Sequence, residues 1–134
     1  MERSRIEVVE TARSYIGTRW RHQGRDRQGL DCVGLVLRVA RDLGLTEFEI
    51  SNYGRVPSNR MMERVLAEQC YKTTLAEIDS GDILHLAFEK QPQHLAIVSD
   101  VGIIHADNEY GVIEHSINRT WRMRVRGCYR MPGL

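Results

Sequence analysis

Gly29-Leu30-Asp31-Cys32-Val33-Gly34-Leu35-Val36 is the stretch on which the fold turns. It sets a cysteine between a turn-forming glycine and a long apolar run. Val33, Val36, Val39, Ala40 and Leu43 trace one helical face, closed by Gly44. The β-branched content also allows a strand, but the length favours a helix. Cys32 then falls in the first turn, where free N–H groups and the positive end of the helix dipole favour an anion. The reactive form of cysteine is an anion, so the position suggests a nucleophile in need of a base.

Working outward, Ser4 reads as the cap of an earlier helix with Glu7 as its capping-box partner. Ile6, Val9, Ala12 and Ile16 follow at helical spacing and Gly17 ends the run. Residues 18 to 30 read as a long loop. A loop with Ser51, Asn52, Gly54 and Pro57 follows the second helix. Ser58 then opens a short third helix with Met61, Met62, Val65 and Leu66 inside.

After Ser80-Gly81-Asp82 the pattern changes to short apolar runs: Ile83 to Phe88, His94 to Ser99, Gly102 to His105, Val112 to His115 and Met123 to Tyr129. Turn signals at Gln91-Pro92, Asp100-Val101-Gly102 and Asp107 to Gly111 separate them. Connections this short leave no room for helical crossovers, so the sheet should be mostly antiparallel. Helices first and strands second predict a single α+β domain over 1–134.

Composition agrees. The chain has 134 residues, 42% hydrophobic and 28% charged, enough for one soluble core. A formal net charge of +1 and the lack of aromatic interleaving argue against a nucleic-acid partner. No apolar run is long enough for membrane insertion. Met1-Glu2-Arg3-Ser4 leads into an amphipathic segment with no apolar signal region. Synthesis in the cytoplasm without a signal peptide is expected, with any export by lysis or assembly into a particle. Cys32, Cys70 and Cys128 are odd in number and form no C-x-x-C pair, so a disulfide framework is not expected; Cys70 and Cys128 read as small buried hydrophobes.

The base should come from His22, His85, His94, His105 or His115. His94 opens one strand and His105 ends the next, with a tight turn at Gly102 between them. Their ends should lie side by side, letting His105 bond one ring nitrogen of His94 while the other faces Cys32. Nucleophile, base and orienter are the parts of a triad. His85 lies mid-strand and His115 ends a strand near Glu114; both read as structural or solvated. His22 lies in the loop before Cys32, where it would line a cleft.

The ordered set Gly-x-Asp-Cys-x-Gly-Leu-Val, Gly-Asp before a strand, His-x-x-Ile-Val, and Ile-His-Ala with its histidine eleven residues after His94 resembles the NlpC family of papain-like cysteine peptidases. Gly17-Thr18-Arg19-Trp20-Arg21-His22-Gln23-Gly24, Trp121-Arg122 and Tyr129-Arg130-Met131-Pro132 are most similar to its branch encoded in phage and prophage tail gene clusters. The resemblance implies a papain-like NlpC fold, with the cysteine at a helix N-terminus packed on a five- to six-stranded sheet. It implies cleavage of bacterial cell-wall stem peptides, typically after γ-D-glutamate and before the diamino acid. Cys32 would be nucleophile, His94 base and His105 the third polar residue. Trp20 stands twelve residues before Cys32, where the family usually has an oxyanion-holding tyrosine; an indole N–H can also donate there. The backbone N–H of Cys32 would be the other donor. Asp31 matches the aspartate that meets a free amino terminus of substrate in some members. Val33 replaces a frequent serine, Ala96 a frequent glycine and Arg19 the usual proline.

The implied partners are a peptidoglycan stem peptide and other phage tail proteins. The implied location is the virion tail, acting in the periplasm or cell wall. Arg19, Arg21, Arg25 and Arg27 read either as a solvated loop or as a cluster that would attract the carboxylates of wall peptides. No cofactor is expected, and no metal, since a zinc site of Cys32, His94 and His105 would lack any short ligand pairing. Two other classes stay open on sequence: a structural tail-tip component whose cleft only binds, and a bacterial amidase or toxin on the same fold.

Overall fold

The structure, a computed structural model, describes residues 4–54, 60–89 and 93–134. Ser58, Pro57 and the Gln91-Pro92 turn lie outside the described residues. α1 (Arg5–Arg13) begins with the expected capping box: the Ser4 hydroxyl accepts from the Glu7 N–H at 3.2 Å, and the Ser4 N–H donates to the Glu7 carboxylate at 3.3 Å. Its inward face keeps the expected Val9 and Ala12 but not Ile6 and Ile16. Val8, Val9 and Ala12 are buried, whereas Ile6 is 67% and Ile16 46% exposed. Tyr15 takes the inward place beyond the helix end, so the buried stripe sits one position away from the Ile6–Ile16 row.

The loop from 18 to 30 contains a small hairpin, β1 (Arg25–Asp26) against β2 (Gly29–Leu30). It feeds directly into α2 (Cys32–Asp42), whose Val33, Leu35, Val36, Leu37, Val39 and Ala40 are all buried. A helix apolar on nearly every side belongs at the centre of a domain. α2 packs against both α1 and the sheet, and each buried branched side chain stabilises it by roughly 1.5–3 kcal/mol. α3 (Met61–Gln69) buries Met62 and Leu66, while Met61 and Val65 are only half-buried.

The main sheet has six strands in the order β3-β8-β4-β5-β6-β7, antiparallel throughout. Its strands are β3 (Tyr71–Thr73), β4 (Ile83–Leu86), β5 (His94–Val98), β6 (Ile103–Asp107), β7 (Gly111–His115) and β8 (Val125–Arg130). β3 has no counterpart in the sequence reading. It is a three-residue edge strand, too short and too exposed to show alternation. The expected strand from Met123 also begins late. Arg119–Met123 form a short helix, α4, with the Asn118 side chain accepting from the Trp121 N–H at 3.0 Å, and Met123 is 69% exposed.

Both sheet faces are covered. Ile83, Leu95, Ile97, Ile104, Ala106 and Val112 join the core with α1 and α2. Leu84, Leu86, Ala96, Ile103 and Cys128 form a second cluster under Phe88, Ile117, Trp121 and Val125. Asp82, the aspartate of the Gly-Asp motif, fastens α1 to this sheet. Its buried carboxylate accepts from the Arg5 guanidinium at 2.7 Å and from the Asp79 N–H at 2.9 Å.

Candidate active site

Asp31 is the N-cap of α2 and the knot of the preceding loop. One carboxylate oxygen accepts from the Gly34 N–H at 2.7 Å and faces Arg25 Nη1 at 3.3 Å. The other accepts from the Gln23 N–H and the Tyr53 hydroxyl, both at 2.8 Å. The carboxylate is buried, with four donors around it, and those contacts fix the turn that presents Cys32. Arg25 is drawn inside by Asp31, Tyr53 and Glu49; Arg19 donates to the Gln28 carbonyl and Arg27 to that of Ser14. Three of the four arginines expected to attract substrate carboxylates thus have partners within the chain.

β5 and β6 pair at Ile97–Ile104 and Val98–Ile103 and no further toward His94. Cys32 meets the sheet at this unpaired end. Its half-buried thiol points at the Gln93 carbonyl at 4.0 Å, and the Leu95 N–H also faces the sulfur. The sulfur therefore touches backbone on both sides of His94. Burial pushes the thiol up to about 12, with Asp31 adding to the rise; the N–H groups of Leu95, Val33 and Cys32 itself oppose it. The dipole expectation of a resting anion is corrected by this. Loss of water outweighs the helix N-terminus, and the resting group is the thiol.

His94 and His105 are 1% and 2% exposed, and Nε2 of His94 lies 2.8 Å from Nδ1 of His105. Burial, then each ring's neighbouring histidine, lowers them to about 3 and about 4. Both rings are neutral at neutral pH. Nε2 of His94 is committed to His105, which leaves Nδ1 as its other ring nitrogen.

His94 and His105 are in hydrogen-bond contact, and the Cys32 sulfur lies against the backbone at Gln93 and Leu95, on either side of His94. Trp20, His22 and Asp31 lie on the loop side of Cys32, joined through Tyr53. The His22 ring stacks on Trp20 with centroids 6.4 Å apart and meets Tyr53 edge-on at 5.6 Å, while Tyr53 bonds Asp31. Tyr53 gave no sign of this in sequence, sitting in a loop without periodicity. His115, read as structural or solvated, instead lies 2.9 Å from His105, nitrogen to nitrogen. Phe88 and Trp121 cover the histidines: Trp121 packs edge-on to His105 at 5.2 Å and to His115 at 4.8 Å, and Phe88 to His94 at 6.4 Å.

The NlpC/P60 family model matches residues 17–130. The chain belongs to the NlpC/P60 family. Among solved structures it is similar to the NlpC/p60 domain of the peptidoglycan hydrolase SagA, with TM-score 0.68 and 24% identity over 96% of this chain and 100% of that one. It is also similar to an NlpC/P60 family protein from Bacillus cereus ATCC 10987 (TM-score 0.72, 18% identity, 98% of this chain and 41% of that). NlpC2 from Trichomonas vaginalis gives TM-score 0.68 and 17% identity, over 92% of this chain and 45% of that. The chain thus spans the whole of the first and less than half of the other two. These likenesses establish the papain-like NlpC/P60 fold. No curated protein sequence matches significantly.

The neutral rings predict how stability follows pH. Each holds its proton less tightly in the folded chain than the ordinary histidine value of 6.5. Below that value the unfolded chain takes up more protons, so stability is full above about pH 6.5 and falls as pH drops through the window toward 3–4. His94 alone accounts for on the order of a few kcal/mol. The thiol acts at the other end: raised from 9.0 in the folded chain, it makes stability fall above about pH 9. Urea melts across pH should show a plateau between these limits. A midpoint unchanged from neutrality to about pH 4.5 would contradict neutral buried rings.

Proposed function

We propose that this chain is a cysteine endopeptidase of bacterial cell-wall stem peptides, cutting near γ-D-glutamyl–diamino acid bonds. The observation that carries the reading is the buried His94–His105 pair together with a helix-N-terminal cysteine whose sulfur meets the backbone next to His94. A merely structural cleft has no need of a nucleophile, a base and an orienter in register. The peptidoglycan hydrolase whose domain shares the fold supports the substrate class.

In the proposed reaction the Cys32 thiol passes its proton to Nδ1 of His94 as sulfur attacks the scissile carbonyl. The oxyanion takes hydrogen bonds from the Cys32 N–H and the Trp20 indole. His94 returns the proton to the leaving amine, and a thioester remains. Water, deprotonated by His94, then attacks the thioester, and the thiol leaves with that proton. Trp20 and His22 shape the substrate side, while Asp31 and Val33 lie buried beneath the turn that carries Cys32.

The test is mass spectrometry of muropeptides before and after incubation with the protein. New fragments ending in a γ-glutamyl carboxylate, each matched by one with a free diamino-acid amine, are expected. An unchanged muropeptide profile would sink the reading. The Trp121-Arg122 and Tyr129 to Pro132 segments further support a place in a phage tail, among other tail proteins. Detection of the chain in purified virions would support that location, and its absence from them would overturn it.

A further inference from the structure

Three histidines, not two, stand in line. His94, His105 and His115 share one sheet face on β5, β6 and β7, and register explains why. In the β6–β7 hairpin His105 opposes Ile113 and Ile103 opposes His115, so His105 and His115 are diagonal neighbours of equal parity. Nε2 of His105 lies 2.9 Å from Nε2 of His115. On its far side, Nδ1 of His115 lies 2.9 Å from the Ser116 carbonyl.

A carbonyl oxygen only accepts, so Nδ1 of His115 carries a proton and donates it. With that single proton on the ring, its Nε2 is a bare acceptor and the facing Nε2 of His105 is the donor. Nδ1 of His105 is in turn a bare acceptor and takes the hydrogen bond from Nε2 of His94. That leaves Nδ1 of His94 without a proton, the state a base needs to accept one from Cys32. Every ring has one donor and one acceptor, and a single backbone carbonyl sets the direction of the row.

We propose that His115 is a positioning residue that fixes, through His105, the tautomer in which His94 acts as base. The proposal rests on His94 being the base of the peptidase reading. Trp121 seals the arrangement by packing edge-on to the rings of His105 and His115, which keeps water from offering His105 an alternative partner.

The experiment labels histidine with ¹⁵N and reads each ring's tautomer from two-bond ¹H–¹⁵N correlations in the full chain at neutral pH. Wild type should carry its proton on Nε2 at His94 and His105 and on Nδ1 at His115. His115→Leu removes the acceptor and should leave His94 and His105 as tautomer mixtures. On a cell-wall peptide its kcat should fall at least about tenfold with little change in KM; a serine triad left in the wrong tautomer loses roughly 10⁴-fold. His115→Gln offers an amide oxygen near the lost nitrogen and should recover most of the rate and the single tautomer. Wild-type His94 protonated on Nδ1 at rest would overturn the proposal, as would equal kcat in His115→Leu and His115→Gln. The spectra need no substrate and no variant. They decide the tautomers even if the protein cuts no cell-wall peptide, a result that would count against the peptidase reading alone.

Discussion

Cys32→Ala is expected, under the proposed mechanism, to abolish cleavage of wall peptides by on the order of 10⁵-fold or more, because losing the nucleophile of a triad leaves only binding and oxyanion stabilisation. The fold should persist. The change deletes one sulfur from a half-buried position, and Asp31, which holds the turn, is untouched. A melting temperature within a few degrees of wild type is the control for that. The resting thiol also makes a second readout. Burial pushes Cys32 up to about 12, so iodoacetamide should label it more slowly than an exposed thiol at the same pH. Removing the base by His94→Ala should slow labelling further. Full hydrolysis by Cys32→Ala would end the case for covalent catalysis, and label uptake at the rate of a free thiol would show that the sulfur is not held as a buried thiol.

Gly34→Ala should have the largest effect on folding. A Cβ at Gly34 would stand 1.9 Å from the Gly24 carbonyl oxygen and 3.0 Å from an Asp31 carboxylate oxygen. Backbone cannot swing aside as a side chain can. Gly24 is itself packed against the next turn, since a Cβ there would lie 2.1 Å from the Gly29 carbonyl oxygen. The loop and the first turn of α2 must separate, which breaks the Asp31 cap and the contacts of Gln23 and Arg25 together. A loss of about 3 kcal/mol or more is expected from urea melts, at the upper end of overpacking costs. Activity should go with it, because the displaced turn carries Cys32. Gly17→Ala is the comparison. Nothing lies within 4 Å of a Cβ there, and only its φ of +94° is strained, so about 1 kcal/mol is expected. Equal unfolding midpoints for the two variants would refute the close-approach account.

Much of this site was legible because it is built from local pattern. A cap, an apolar helix and a hairpin of fixed length suffice to set Cys32 against the start of β5 and to pair His94 with His105, and each leaves a periodic trace. What stayed hidden depends on distant partners or on solvent. β8 enters the sheet between β3 and β4, and no spacing within residues 71–86 announces a strand from the far end of the chain. α4 was not anticipated, and the last strand was expected from Met123 instead of Val125, although Asn118 three residues before Trp121 is a cap signal. Ile6 and Ile16 fit a helical stripe but sit just off the buried one, and only the docked partner decides which stripe turns inward. His115 could have been found by counting parity across the Asp107–Gly111 turn. The thiol's protonation state could not, because the dipole is local whereas desolvation needs the whole surrounding structure.

The two aspartates divide the family signature by purpose. Asp31 caps a helix and Asp82 pins another to the sheet, and Gly34 lets two backbones touch; none of these tasks involves making or breaking a substrate bond. A descendant that lost its chemistry would still need all three in order to fold. Most of the signature would therefore survive in an inert copy, and the decay of an enzyme into a scaffold would show first at the cysteine and the line of histidines, with the surrounding motif intact.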